Sequence, residues 1–197
     1  MASAALAHAD LVINLQPVSD AAGSTGDTFD VTLTNTGPGS VIIAGFSFGL
    51  SVGTTDLTFT DVTTGTTEPY VFGADSLFGP DISVQPANLP GQTLEAEDIS
   101  LAPGGGSTIG SGVTVGLGEV TFNLSAGASS VGIPISFIEA DDSLTDADGE
   151  AIAFSAVSGS IAVTGGTTAT PEPVTFGFLC AALIGLVGAF QLRCRRA

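Results

Sequence analysis

The sequence contains no lysine, and its three arginines all fall within the last five positions. Arg193, Arg195 and Arg196 stand against 20 carboxylates, which gives a formal net charge of −17. Phosphate recognition depends on Lys and Arg side chains. The composition therefore argues against nucleic acid as a partner.

The excess of acid has two interpretations. Self-repulsion of like charges keeps a protein surface solvated and soluble, and this is the simpler interpretation. The alternative is adaptation to salty or divalent-rich surroundings, in which cations screen the repulsion. The lysine-free composition leans toward the second without deciding between them.

Residues that commonly carry catalysis are also scarce. His8 is the only histidine, and the two cysteines, Cys180 and Cys194, lie in the final 18 residues. The central part of the chain therefore cannot form a Ser–His or Cys–His relay, or a zinc site of His and Cys. A pair of carboxylates acting on a glycoside stays open. Tryptophan is absent and Tyr70 is the only tyrosine, which weakens a sugar-stacking surface.

Between residues 10 and 170 the apolar residues alternate. Val31 and Leu33 step by two, as do the apolar positions of GEVTFNLSAG and GIPISFIEA. Such segments predict half-buried strands. Six further segments have the same character: LVINLQPV, VIIAGFSFGLSV, DLTFTDV, DISV, AIAFSAV and SIAVTG. Eight to ten short strands without a helix predict a two-sheet sandwich, in which Ser158-Gly159 forms a hairpin turn between the last two strands.

The C-terminal sequence predicts a membrane-spanning helix. Val174 to Leu192 is a run of 19 residues, polar only at Thr175 and Gln191. As a helix it spans roughly 28 Å, which matches a hydrocarbon core of about 30 Å. The arginines that follow place the C-terminus in the cytoplasm and the acidic bulk outside.

Pro171, Glu172 and Pro173 stand immediately before this run, where two prolines hold an extended stalk. Pro-Glu-Pro, one membrane span and an arginine-rich end together resemble the PEP-CTERM sorting signal. The resemblance implies recognition by an exosortase, which cuts near the tripeptide and passes the protein to the cell surface. It also implies a host that makes extracellular polysaccharide. Cys194 interrupts the arginines, which is a departure from the pattern.

At the N-terminus, Ala7-His8-Ala9 before Asp10 forms an A-x-A pattern of the kind that signal peptidase leaves. We expect residues 1–9 to be the remnant of a signal peptide, cleaved between Ala9 and Asp10. The alternative is that these are ordinary small residues.

The motifs GDTFDVTLTN, IAGFSFGLSV, LGEVTFNLSAGASS and SLTDADGEAIAFSAVSGSIAVTG occur in this order over most of residues 10–165. Together they resemble a cohesin-type domain. The resemblance implies an all-β, jelly-roll β-sandwich of about nine strands, related to carbohydrate-binding modules, here followed by a single transmembrane helix. Residues 71–112 depart from the pattern, so no dockerin-binding residues can be transferred.

Two acidic segments invite a metal interpretation. DDSLTDADGE offers Asp142, Asp146, Asp148 and Glu150 as candidate calcium ligands, because calcium prefers oxygen-rich loops. The alternative, a solvated Asp-Gly turn, is favoured. The segment TLEAEDIS, with Glu95, Glu97 and Asp98, is also interpreted as a solvated loop.

These patterns predict five segments: a signal remnant at 1–9, a cohesin-like sandwich at 10–165, a linker at 166–173, a transmembrane helix at 174–192 and a cytoplasmic tail at 193–197. The predicted function is that of a non-catalytic exported protein of the cell surface or extracellular matrix. It would be sorted by an exosortase and act in adhesion or in exopolysaccharide and biofilm assembly. The alternatives are a carbohydrate-binding or dockerin-binding module and a carboxylate-dependent glycosidase.

Overall fold

A computed structural model of the chain describes residues 11–77 and 92–165, all within one compact unit that ends at residue 166. These residues form thirteen strands and one short 3-10 helix, Gly73–Asp75. The strands are β1 (Leu11–Leu15), β2 (Val18–Ala21), β3 (Thr25–Asn35), β4 (Val41–Ile43), β5 (Gly45–Val52), β6 (Leu57–Thr63), β7 (Thr93–Ile99), β8 (Ser107–Ile109), β9 (Thr114–Leu124), β10 (Ile133–Phe137), β11 (Ser143–Thr145), β12 (Phe154–Val157) and β13 (Gly159–Thr164).

Two sheets stack face to face. Sheet A has the order β12-β1-β3-β9-β6, and all its pairings are antiparallel except β1 with β12. In sheet B, β5 pairs with β7 on one edge and with both β10 and β11 on the other, and β13 and β2 continue from β10. The short β4–β8 pair stands apart.

The core lies between the sheets, and the alternation of apolar residues determines which side chains enter it. Val31 and Leu33 of β3 are fully buried, and Val120 and Phe122 of β9 and Ile133 and Ile135 of β10 are buried as well, whereas Phe137 is partly buried. From sheet A, the rings of Phe29 and Phe122 pack 5.8 Å apart, and from sheet B Phe46 stacks on Phe48 at 6.0 Å. Each such side chain contributes about 1.5–3 kcal/mol by leaving water. The predicted all-β sandwich is confirmed.

The hairpin predicted at Ser158-Gly159 is wrong. Although only Ser158 separates β12 from β13, the two strands belong to different sheets: β12 pairs with β1 in sheet A, and β13 pairs with β10 and β2 in sheet B. Here the chain crosses from one sheet to the other, because β12 and β13 pair with strands of different sheets.

Several predictions fall outside the described residues. They are the signal remnant at 1–9, the DISV strand, the linker at 166–173, the transmembrane helix at 174–192 and the tail. Within residues 11–77 and 92–165, no helix has the length and apolar character needed to cross a membrane.

Candidate functional site

The prediction of a solvated loop for TLEAEDIS is wrong, because this segment forms β7 and pairs with β5 from Thr93 to Ile99. Leu94, Ala96 and Asp98 point inward and are buried. The residues between them point outward, so β7 gives the outer face of sheet B its two glutamates, Glu95 and Glu97. Alternation of period two was present in the sequence, but the density of carboxylates concealed it.

Short polar side chains form rows across this outer face. Glu97, Ser47 and Ser143 lie opposite one another on β7, β5 and β11. In a parallel row, Thr93, Ser51 and Ser136 lie opposite one another on β7, β5 and β10. Since neighbouring strands are about 4.8 Å apart, the rows make a continuous surface of hydroxyls and carboxylates.

One end of the face is apolar. Ile99 continues β7 beyond Glu97, and its carbonyl accepts a hydrogen bond of 2.9 Å from the amide of Leu77. The Ile99 and Leu77 side chains are 50% and 45% exposed. The surface therefore changes from hydroxyl-rich through acidic to apolar along β7.

A groove of about 320 Å³ lies in the middle of this face. Glu95 and Glu97 form one wall, Asp141 and Ser143 the other, and Ser47 lies on the floor. The Ser47 hydroxyl is 2.7 Å from the Asp141 carbonyl and 2.8 Å from the Ser143 hydroxyl. The groove therefore offers mainly hydrogen-bond acceptors to a visiting group.

The second wall of the groove is formed by the loop that connects β10 to β11. Both strands pair with the same edge of β5, so residues 138–142 must leave and rejoin it beside Gly49. In place of a backbone carbonyl from a neighbouring strand, the Asp142 carboxylate accepts the hydrogen bond from the Gly49 N–H, at 2.9 Å. Burial raises the pKa of Asp142, the Gly49 hydrogen bond lowers it, and the charges of Asp141 and Glu139 raise it further.

A buried network beneath the face holds β7 in place. Asp98 is completely buried and accepts hydrogen bonds from the Tyr70 hydroxyl at 2.6 Å, the Ser76 hydroxyl at 2.5 Å and the Ile99 amide at 2.8 Å. Burial, followed by the hydrogen bond to Asp98, raises the pKa of Tyr70 well above its usual range. The neutral phenol is therefore a permanent donor to this carboxylate.

The outer face of sheet A is less available. The segment after β6 lies across it: the Asp30 carboxylate accepts the Thr67 N–H at 2.8 Å, and the Pro69 carbonyl accepts the Gly116 N–H at 2.9 Å. A side chain at Gly116 would collide with Thr66. Among residues 11–77 and 92–165, the chain covers part of the outer face of sheet A and leaves the groove on sheet B uncovered.

The candidate calcium ligands do not converge. Asp142 binds Gly49, whereas Asp146 Oδ1 accepts the N–H groups of Asp148 and Glu150, both at 2.9 Å. These bonds define an Asp-Gly turn with Gly149 at φ 79°. Over the described ranges, no three His, Cys, Asp or Glu side chains form a group that could hold a metal ion. The remaining candidate residues, Ala7, Ala9 and Asp10 at one end and Pro171, Glu172, Pro173, Arg193, Arg195 and Arg196 at the other, lie outside the described residues.

The geometry defines the class of fold, which is an all-β, two-sheet sandwich with an acidic outer face on sheet B. Comparison with solved structures narrows this class to the cohesin fold. The solution structure of CaCohA2 from Clostridium acetobutylicum matches with a TM-score of 0.61 at 18% identity, covering 81% of this chain and 94% of that one.

Two further cohesins match over similar lengths. The Coh-OlpC–Doc435 complex from Clostridium thermocellum, a type I cohesin–dockerin complex, matches at 15% identity with a TM-score of 0.59, over 82% of this chain and 98% of that one. A non-cellulosomal cohesin from Archaeoglobus fulgidus matches at 15% identity with a TM-score of 0.55, over 80% and 93%. No family model and no curated protein matches the sequence. At these identities the likeness establishes the fold, and the predicted cohesin-like sandwich is confirmed at that level.

Proposed function

We propose that the sandwich is a non-catalytic binding module that docks a dockerin-like protein on the outer face of β7, β5, β10 and β11. The observation that carries this proposal is the open groove between Glu95, Glu97 and Asp141, on a fold whose solved neighbours include cohesins in complex with dockerins. The other large face supports docking less well, because the segment 64–69 covers part of it.

The chemistry of the groove indicates the chemistry of the partner. Its walls are carboxylates and its floor is a serine, and the sequence has no Lys or Arg before Arg193 that could neutralise them. A partner that presents Lys or Arg, with an apolar side chain against Leu77 and Ile99, complements this surface. Charge complementarity of this kind mainly raises the association rate, so binding weakens as salt increases.

Matched lysine substitutions on the two sheets test the docking face. Ser47→Lys puts a long cationic side chain on the groove floor, and Thr28→Lys puts the same side chain on the exposed outer face of sheet A. A dockerin-containing protein captured from host extract would be purified, and its affinity measured by calorimetry for wild type and both variants. We expect Ser47→Lys to weaken binding at least tenfold and Thr28→Lys to leave it unchanged. Equal affinities for the two variants would refute the docking face.

The sequence supports a second part of the proposal, which concerns destination. Pro171-Glu172-Pro173, the apolar run 174–192 and the terminal arginines would act as an exosortase signal. The protein would be exported, tethered by its C-terminal helix with the C-terminus in the cytoplasm, and released to the surface or matrix after cleavage. There it would act in adhesion or in assembly of an exopolysaccharide matrix.

Mass spectrometry of both ends of the mature protein from native cells tests this destination. We expect a C-terminus near Pro171-Glu172-Pro173 and an N-terminus at Asp10. Surface-displayed protein that still ends in Arg195-Arg196-Ala197 would contradict sorting by an exosortase, but it would leave the docking proposal untouched.

A further inference from the structure

Strand β12 forms one edge of sheet A, and within the described residues it pairs with β1 alone. Proteins commonly protect an exposed edge strand with charged side chains, proline or a bulge. The opposite edge strand, β6, has two of these features, because its pairing with β9 shifts register between Phe59 and Asp61 and Asp61 is exposed. The residues of β12, Phe154–Val157, carry no charge and no proline, and their register with β1 is continuous. The edge at β12 is therefore the more accessible one for pairing with another chain.

The outward backbone groups of β12 belong to Phe154 and Ala156. Gln16 N–H donates to the Asp30 carbonyl at 2.9 Å and continues the β1–β3 register, so the even-numbered residues of β1 face β3 and the odd-numbered ones face β12. Ile13 lies opposite Ala156, and in a parallel pair it bonds to the two neighbours of that residue. The N–H and C=O groups of Phe154 and Ala156 therefore point away from β1. Among the residues that the structure describes, none forms a hydrogen bond with them.

The neighbouring chain leaves this edge just before β12 begins. Ile152 N–H donates to the Leu144 carbonyl at 2.9 Å, in an antiparallel register. Continued by two residues, this register would bring Asp142 opposite Phe154. Instead, the Asp142 carboxylate bonds to the Gly49 N–H of β5, on the other side. A gap therefore remains beside β12, in the position that a further strand would occupy.

This gap is a cavity of about 340 Å³. The half-buried rings of Phe137 and Phe154 line it, and Glu139 and Asp142 line it from the β10–β11 loop. Glu139 is exposed, and no Lys or Arg occurs in residues 1–192 that could pair with either carboxylate. The cavity thus combines aromatic surface with negative charge that the sandwich does not neutralise.

We propose that the outer edge of β12 binds an extended segment of a partner protein, which adds to sheet A as a strand and places a Lys or Arg side chain in the cavity. Backbone hydrogen bonds to Phe154 and Ala156 hold the segment, as in other cases of strand addition. The alkyl stem of the cationic side chain packs on the two rings, and its charged end reaches Glu139 and Asp142. A second copy of this chain fits less well, because it would bring the same carboxylates to the edge without a cation. The site lies across the loop 138–142 from the groove and does not depend on docking there.

A synthetic peptide tests this edge on the full-length chain. The fluorescently labelled peptide alternates Thr and Val around one central Lys, a control peptide has Glu in place of that Lys, and binding is measured by anisotropy. We expect the Lys peptide to bind and the Glu peptide to bind roughly tenfold more weakly or not at all.

Two substitutions locate the peptide on the chain. Ala156→Pro removes an outward N–H and no bond to β1, a position where an edge strand tolerates proline, and it should weaken binding roughly tenfold. Glu139→Lys should weaken binding of the Lys peptide roughly fivefold or more. Glu150→Lys makes the same change of charge at the exposed Asp-Gly turn and should leave binding unchanged. The Tm of each variant verifies folding, and if Ala156→Pro does not fold, the comparison of Glu139→Lys with Glu150→Lys decides.

Four results would overturn the inference. The first is no binding of the Lys peptide to wild type at millimolar concentration, and the second is equal binding to wild type and Glu139→Lys. Binding that is lost in Ser47→Lys but retained in Glu139→Lys would assign the peptide to the groove instead. Self-association of wild type that Ala156→Pro abolishes, measured by analytical ultracentrifugation, would assign the edge to a second copy. Docking of a dockerin-like protein is measured separately, so it stands or falls independently of these results.

Discussion

Single buried polar residues determine how the edge of sheet B is built. Asp98 points into the core, where an unpaired carboxylate is costly, and donors from Tyr70, Ser76 and its own strand satisfy it. Two of these donors come from residues more than 20 positions earlier in the sequence. The carboxylate therefore fixes the segment around the 3-10 helix against β7, and so supports Leu77 beside Ile99.

Tyr70→Phe tests this role at the residue scale. The substitution keeps the ring against Phe46 and Phe72 but removes one hydrogen bond to a buried carboxylate. We expect the free energy of unfolding in urea to fall by about 1.5–3 kcal/mol. Ser136→Ala removes a hydroxyl from an exposed position of β10 and should change it by less than about 0.5 kcal/mol. Equal effects of the two substitutions would show that the Tyr70 hydroxyl contributes nothing specific.

At the scale of strands, the sequence predicted what depends on local alternation. The alternating apolar residues of β3, of the second half of β9 and of the start of β10 are buried as expected, whereas Phe137 at the end of β10 is only partly buried. Strand β7 was not predicted because its third inward-facing residue is Asp98, a charged residue in a position that is normally apolar. The hydrogen-bond partner that allows Asp98 to be buried, Tyr70, is 28 residues away in the sequence. The false hairpin at Ser158-Gly159 has the same origin, since only the pairing with β1 and β10 shows that β12 and β13 lie in different sheets. The groove was missed with β7, because it exists only after these strands pair.

Gly49→Ala tests the element that forms the second wall of the groove. A Cβ at Gly49 would lie 2.8 Å from Asp141 Cβ and 3.1 Å from Ile138 Cβ, so residues 138–142 would have to move. We expect a loss of about 1–3 kcal/mol of stability in urea unfolding. Gly53→Ala is the matched control just beyond the same strand, because a Cβ there meets nothing within 4 Å. A Gly49→Ala variant as stable as this control would show that the β10–β11 loop does not pack closely on β5.

At the scale of the whole molecule, charge is separated along the chain. Every Lys or Arg of the sequence lies after residue 192, so carboxylates on the sandwich have no cationic side chain of their own domain to pair with. Like charges on one compact body repel each other, and that repulsion opposes folding. The same absence leaves the carboxylates of the groove without a Lys or Arg partner from residues 1–192.

This charge distribution predicts that salt stabilises the fold. Screening shortens the Debye length from about 30 Å at 0.01 M to about 10 Å at 0.1 M, which removes most of the repulsion between carboxylates on opposite sides of the domain. We expect Tm to rise by several degrees as NaCl increases over this range, with chelator present throughout so that trace divalent cations do not contribute. Sucrose of equal osmolarity is the control, because it leaves charge interactions unscreened. If Tm stays constant, or rises equally in sucrose, the carboxylates are spaced widely enough that their repulsion does not limit stability.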